Sequence, residues 1–265
     1  MIDNANRAFL YGESVFTTMR VLDGRLQDWD LHFDRLRKGV EFVFGPFMDK
    51  SEWVTLFRNR LETRLSEYEG DKVLRITVYR EQSKTLRGGL ISSTDMKFHV
   101  SHSIFEPSRF ENKMLKLRTC PISKRPHWWP SYLKSGTYLE TILCQKIYMQ
   151  PHDDDVLFLS EDDTVLESSV ANIFVVRHNK LYTAPSGPNV LEGVMRKKVM
   201  DAALDFFEDF EESETSMDQL LKADAVFGSN SVRGLFLVDR IDDYEITYND
   251  EFLEKFRNLK SRVLR

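Results

Sequence analysis

The sequence predicts an α+β protein of two domains, on three observations. Strand-like runs come in separated clusters with helical periodicity between them. Midway, Pro121 to Pro130 carries three prolines in ten residues and interrupts both periodicities. The length of 265 residues exceeds the roughly 150 typical of one domain and can bury a substantial core without staples. The expected division is a small N-terminal domain over 1–121, a linker over 122–133 and a large C-terminal domain over 134–265.

Each element has a local reason. Ser14 to Val21 is rich in β-branched and aromatic residues, and Asp23-Gly24 is a hairpin signal before Arg25-Leu26-Gln27. A helix follows from Asp30, with Phe33, Leu36, Val40 and Val43 at helical spacing. A second helix runs from Ser51, a good N-cap, to Gly70, with Trp53, Leu56, Phe57, Leu61 and Leu65 inward. Lys72 to Arg80, Met96 to Ile104 and Met114 to Cys120 read as strands. The linker's Trp128 and Trp129 are costly to leave in water, so the loop His127-Trp-Trp-Pro130 is expected to pack over something. Beyond it come a helix (Thr137 to Met149), a strand (Val156 to Ser160), an acidic turn at Glu161-Asp162-Asp163 and a hairpin (Ala171 to Val176, Lys180 to Ala184). A Pro/Gly loop leads into a helix from Gly193 to Phe207. The acidic run Glu208 to Glu214 reads as a solvated face or loop. Ala225 to Gly228 and Leu235 to Val238 read as short buried strands, and Asn249 caps a terminal amphipathic helix.

Composition excludes several classes. With 37 Lys+Arg against 42 Asp+Glu, the net charge is −5 and no basic block stands out, which argues against nucleic acid as a partner. No apolar run approaches the ~18 residues that span a bilayer, and the N-terminus lacks the order of a signal peptide. Cys120 and Cys144 make neither a disulfide framework nor a zinc pair. A reducing cytoplasmic setting, no membrane and no metal are the expectation.

Several residues are candidates for chemistry, each with an ordinary reading beside the functional one. Lys134, in Tyr-Leu-Lys-Ser-Gly, has apolar flanks. A desolvated lysine is a nucleophilic amine suited to Schiff-base chemistry, although most lysines are solvated. Glu167 lies among strand formers; it is either a strand-end charge facing water or a buried carboxylate paired with a cation. Leu191-Glu-Gly-Val-Met-Arg196 opens a helix after a Pro/Gly loop, where N–H groups can meet an anion; the same pattern is an ordinary loop-to-helix join. Gly228-Ser-Asn-Ser-Val-Arg-Gly234 is a polar turn able to offer donors, or simply a hairpin. His32 and Arg35 share a helix face, and arginine's forked donors suit a phosphate. Together, an imine-forming lysine, a carboxylate for a ring nitrogen and phosphate donors are what pyridoxal 5'-phosphate asks of a protein.

Read in order, the sequence resembles the fold-type IV pyridoxal-phosphate enzymes. Arg7-Ala-Phe-Leu-Tyr-Gly-Glu-Ser-Val-Phe16 resembles the family's opening strand, and His32-Phe-Asp-Arg-Leu36 its HxxRL helix, whose arginine contacts phosphate. Lys134-Ser resembles the Schiff-base lysine, and Glu167-Ser-Ser-Val-Ala-Asn-Ile-Phe174 the segment whose glutamate pairs with the pyridine nitrogen. Leu191-Glu-Gly-Val-Met-Arg196 resembles the phosphate cup, and Ser229-Asn-Ser231 the second phosphate turn. The resemblance implies a small α/β sandwich domain, a larger β-barrel-like domain with helices that binds the cofactor, and a homodimer with the cofactor between the domains. It assigns Lys134 and Glu167 as catalytic. Arg35, Gly193, the amides of Val194 and Met195, and Ser231 become phosphate contacts, with Leu191 under the ring.

Phe16-Thr-Thr-Met-Arg-Val21, the Gly-Val-Met-Arg form of the cup and Asn230-Ser-Val-Arg-Gly234 look more like the aminodeoxychorismate lyases than the branched-chain enzymes. That resemblance implies release of pyruvate and formation of 4-aminobenzoate for folate synthesis. The alternative is an aminotransferase of branched-chain or D-amino acids. Thr137 departs from the asparagine usual in such lyases, and Tyr138 is a candidate for the cofactor's phenolic oxygen. Arg233 and then Arg87 are the candidates for a substrate carboxylate, since bidentate arginine suits one. Retention of Lys134 and Glu167 argues against an inert binding member of the family.

Overall fold

The computed structural model describes residues 6–45, 55, 57, 61, 70–81, 96–111, 113–124 and 133–265. Two compact units emerge: Met1–Glu106 with Leu133–Tyr138, and Pro107–Tyr132 with Leu139–Arg265. This differs from the expected boundaries at 121 and 134, and strand pairing is the reason. The strand Leu115–Thr119 lies inside the second unit's sheet, whereas Ser135 bridges antiparallel to Val15 of the first. The expected linker begins as ordered chain, since the N–H groups of Cys120 and Lys124 donate to the carbonyls of Leu157 and Leu159 at 2.8 and 2.9 Å. The loop with Trp128 and Trp129, Arg87, and Trp53, Leu56 and Leu65 of the second helix lie outside the described residues.

The first unit is an antiparallel sheet in the order β2-β1-β3-β4, with β1 Ser14–Leu22, β2 Arg25–Leu26, β3 Lys72–Arg80 and β4 Met96–Ile104. Asp23 and Gly24 take φ of 48° and 72°, the positive values that a tight hairpin requires. The helix Trp29–Phe44 lays Phe33, Leu36, Val40 and Phe44 on Val15, Met19, Val21, Leu74, Ile76 and Val78. Phe57 and Leu61, both helical, join that core. One face of β1 is therefore committed to the core, and the opposite face carries Phe16 and Thr18.

The second unit holds β5 Leu115–Thr119, β6 Asp155–Leu159, β7 Val165–Ser168, β8 Asn172–Arg177, β9 Lys180–Thr183, β10 Asp209–Glu212, β11 Ala225–Asn230, β12 Gly234–Ile241 and β13 Tyr244–Glu245. The strand order is β10-β9-β8-β11-β12-β5-β6-β7, and β7 also pairs with β8. That last pairing, Glu167 opposite Asn172, closes β5, β6, β7, β8, β11 and β12 into a barrel. Leu115, Leu117, Leu157, Leu159, Ile173, Val175, Val226, Phe236 and Val238 fill its inside. Outside, Phe174, Phe227 and Leu235 pack against Met195 and Val199 of the helix Val194–Ala202 and Phe256, Leu259 and Val263 of the helix Asp250–Val263. Strands covered on both faces read as near-continuous apolar runs, and Asp155–Leu159 is buried throughout. The α+β architecture is the one the sequence predicts.

Local differences have local causes. The helix expected from Gly193 to Phe207 ends at Ala202 and tightens into a 3-10 turn over Ala203–Asp205. The acidic run is not all loop, because Asp209–Glu212 adds parallel to β9 as an edge strand. Its Glu212 is tied down by Arg196 at 2.6 Å. Ser229 and Asn230 belong to β11, so the expected polar turn shrinks to 231–233. Asn249 does cap the terminal helix, accepting from the Phe252 N–H at 2.8 Å. Among the described residues, no helix is long and apolar enough to cross a membrane.

A buried carboxylate ties three barrel segments together. Asp153 accepts from Arg118 of β5 at 2.9 Å and Arg240 of β12 at 2.7 Å. Burial alone would raise its carboxyl, but Arg118, the Gln150 N–H and Arg240 outweigh burial and hold it below the ordinary value. A carboxylate depressed in the folded state stabilises above its unfolded value, about 3.9. That contribution disappears as pH falls through the lower folded value. Asp153→Asn is expected to cost about 3 kcal/mol at neutral pH and to flatten the acid limb of stability. Denaturant melts of both proteins from pH 7 to pH 2 check this, and parallel curves would refute it.

Candidate active site

Lys134 is placed by β1 rather than by a helix. The Phe16 N–H donates to the Lys134 carbonyl at 2.8 Å and the Gly136 N–H to Ser14 O at 2.9 Å, so 134–136 runs as an extended strip along the strand. A Cβ on Gly136 would come 2.1 Å from Ser14 Oγ, so a larger residue there would require that hydroxyl to turn away. Lys134 Nζ lies 4.9 Å from the Phe16 ring centroid and 3.4 Å from Tyr138 Oη. The Phe16 and Tyr138 rings are 5.6 Å apart, and the Arg75 guanidinium sits 3.5 Å from the Phe16 centroid. Burial lowers the Arg75 guanidinium from its ordinary value, against a smaller raising effect of Tyr138. The amine thus lies among aromatic faces, a phenol and a second cation.

On the core side of β1, the fully buried Thr17 joins two helix residues. Its hydroxyl lies 2.7 Å from His32 Nδ1 and accepts from Arg35 Nη2 at 3.0 Å. The HxxRL pattern thus reaches one strand hydroxyl, which orients the arginine's fork.

In the second unit the barrel register does the assembling. Phe158 on β6 opposes Glu167 on β7, Glu167 opposes Asn172 on β8, and Asn172 opposes Ser229 on β11. Directly opposed residues share a face, so the four form a row on the barrel's outer surface. Glu167 is 8% exposed. Its Oε1 accepts from Lys124 Nζ at 2.8 Å, and its Oε2 from the Leu191 N–H at 3.1 Å and Asn172 Nδ2 at 3.4 Å. Asn172 also donates to Leu191 O at 2.8 Å. These bonds draw the loop before the helix Val194–Ala202 onto the row. Gly193 is that helix's N-cap and brings no side-chain cap; a Cβ there would come 2.1 Å from Asn172 Oδ1. Ser229 Oγ is buried with no hydrogen-bond partner among the described residues.

The model of the amino-transferase class IV family matches residues 14–241. The chain belongs to the class IV aminotransferase family. The aminodeoxychorismate lyase of Bacillus subtilis is 25% identical over 259 residues, which are 93% of this chain and 83% of that protein. The D-alanine aminotransferase of Bacillus licheniformis is 23% identical over 253 residues, 92% of this chain and 84% of its own. The crystal structure of 4-amino-4-deoxychorismate lyase from Pseudomonas aeruginosa superposes with a TM-score of 0.84 at 22% identity, covering 98% of this chain and 95% of that one. The fold is therefore shared with enzymes of both chemistries.

For a class IV enzyme, the candidates read from sequence divide between the two units. Arg35 and Lys134 stand in the first, and Glu167, Leu191, Gly193, Val194, Met195, Ser231 and Arg233 in the second. The ordinary reading of Glu167, a strand-end charge facing water, fails, because the carboxylate is buried and ion-paired. Leu191 contributes its backbone, which bonds both Glu167 and Asn172. Val194 and Met195 form the first turn of the helix with their side chains buried. Ser231 lies in the half-exposed turn after β11. Arg233 lies 5.0 Å from the Phe110 centroid and 5.6 Å from that of Phe236.

Asn172, Lys124 and Arg75 escaped the sequence reading as site residues, and Ser229 entered it only as the start of a polar turn, not as a buried strand residue. Two had a signal: Asn172 alternates with the buried Phe174 and Ser229 with the buried Phe227, so period two puts a polar group on a core-facing row. Lys124 had none, since its partner is distant in sequence and only strand pairing joins them.

Proposed function

We propose that this family member is a pyridoxal 5'-phosphate-dependent 4-amino-4-deoxychorismate lyase that eliminates pyruvate and yields 4-aminobenzoate, acting in the cytoplasm. The observation that carries the reading is the row Glu167–Asn172–Ser229 beside the uncapped start of the helix Val194–Ala202. A phosphorylated pyridine needs a carboxylate for its nitrogen and hydrogen-bond donors for its phosphate. The buried, unpartnered Ser229 hydroxyl and a helix start without a side-chain cap fit that demand, because the first amides of a helix have no partner within it.

When bound, the cofactor supplies an electron sink for the carbanion formed beside the substrate nitrogen. The chain supplies the rest. Val194 and Met195 would offer backbone N–H groups to the phosphate, with Ser229 and Ser231 beside them; Arg35 is the first unit's own candidate for an anion. Gly193 would leave room for the cofactor, and Leu191 is the candidate to pack against its ring. Glu167 would hold a proton on the ring nitrogen. Lys134 would present its amine to the cofactor's aldehyde and would then move the proton at the carbon bearing the substrate nitrogen. Tyr138, within reach of Lys134 Nζ, orients that amine. For substrate carboxylates, Arg75 beside the Lys134 cluster is the first choice, ahead of Arg233 and Arg87.

The test is release of 4-aminobenzoate from chorismate and glutamine with an independent aminodeoxychorismate synthase. Product that depends on this protein and on Lys134 supports the lyase. The likeness to a D-alanine aminotransferase favours one alternative: keto acid release from D- or branched-chain amino acids, with no 4-aminobenzoate, would establish it.

We also propose a homodimer. On the helix Leu139–Tyr148, Leu139, Ile142, Leu143 and Ile147 are 65, 53, 43 and 62% exposed. Such a stripe at helical spacing is costly in water and suits a self-complementary contact. Ile142→Asp is expected to halve the mass read by light scattering after gel filtration, and an unchanged dimer mass would place the contact elsewhere.

A further inference from the structure

The ion pair between Lys124 and Glu167 has no part in the chemistry above, yet its geometry is tightly built. The Lys124 backbone is pinned to β6, bridging parallel to Ser160 with its N–H on Leu159 O. Its side chain crosses the intervening strand, with Nζ 4.7 Å from the centroid of Phe158, the residue directly opposite Glu167. It ends 2.8 Å from Glu167 Oε1, with the two side chains 21% and 10% exposed. Oε2 is held from other segments by Leu191 and Asn172. The carboxylate is thus gripped on both oxygens by groups from three stretches of chain, and lysine supplies the only full charge among these donors. A buried carboxylate without a countercharge is costly and turns to find one.

We propose that Lys124 is a positioning residue for Glu167. It is the resident countercharge that fixes the carboxylate's direction before the cofactor arrives, and its positive charge tempers how strongly that carboxylate draws on the ring nitrogen afterwards. The inference rests on the cofactor reading above. Phe158 contributes by keeping the ammonium on the line between β6 and β7, since a cation over an aromatic face is attracted to it.

The experiment compares Lys124→Met, Lys124→Arg and Glu167→Gln, and the double variant Lys124→Met/Glu167→Gln. Lys124→Gln replaces Lys124→Met in both roles should the latter not fold. Three readouts are taken: melting of the cofactor-free protein, absorption maximum and affinity for added pyridoxal phosphate, and kcat with KM in whichever reaction the wild type performs. Lys124→Met is expected to lower kcat by about 10- to 100-fold, with KM nearly unchanged and the absorption maximum displaced. Lys124→Arg should restore most of the rate. In the Glu167→Gln background Lys124→Met should cost almost nothing more, because residues acting as a unit are not additive. Wild-type kcat and absorption in Lys124→Met, or losses that multiply in the double variant, would overturn the proposal. Additive melting shifts in the cofactor-free protein would overturn the pairing itself, whatever the cofactor does. A wild type that takes up no pyridoxal phosphate would overturn the reading on which the proposal rests.

Discussion

Lys134→Ala is expected to abolish the near-visible absorption of added pyridoxal phosphate and to lower kcat by at least about 10³-fold. Two losses combine. The covalent anchor disappears, and so does the amine that moves the proton at the reacting carbon. The fold should survive, because the strip at 134–136 is held to β1 through backbone groups that alanine retains. A circular dichroism melt close to that of the wild type would confirm that the effect is chemical. An unchanged absorption spectrum in Lys134→Ala would remove this lysine from the mechanism, and with it the proposed reaction.

Glu167→Gln should behave differently. The amide keeps the shape and one acceptor oxygen, so the Leu191 N–H retains a partner and the helix start stays docked. Cofactor uptake is therefore expected to persist, while kcat drops by about 10²- to 10³-fold, since a neutral amide does not hold a proton on the ring nitrogen. Spectral titration of the cofactor, alongside kcat, separates binding from turnover. Full activity in Glu167→Gln would show that the carboxylate serves only the barrel seam. The two variants thus split the proposal into its anchoring half and its electronic half.

The division between what was legible and what was hidden follows the range of the forces involved. Strand and helix identities depend on neighbours a few residues away. Asp23-Gly24 announced its hairpin, Phe33, Leu36 and Val40 their helix, and Asn249 its cap, all of which the structure contains. Segments whose register depends on distant partners read less well. The acidic run became edge strand because β9 offered an unpaired edge. Ser229 and Asn230 joined β11 because β8 and β12 flank them.

The candidate site shows the same split. Lys134, Glu167, Arg35 and the Gly193-Val194-Met195 turn could be named as candidates because each sits in a short motif whose residue types suit the chemistry. The sequence by itself determined the family and the α+β class, and it nominated those groups. The tertiary structure decided what surrounds them. Closing the barrel at Glu167 and Asn172 buried a carboxylate that sequence alone would have left in water. The run of the chain along β6 brought Lys124 to it across 43 residues. Strand pairing, which joins residues without regard to their separation in sequence, turned a list of plausible side chains into a row on one face.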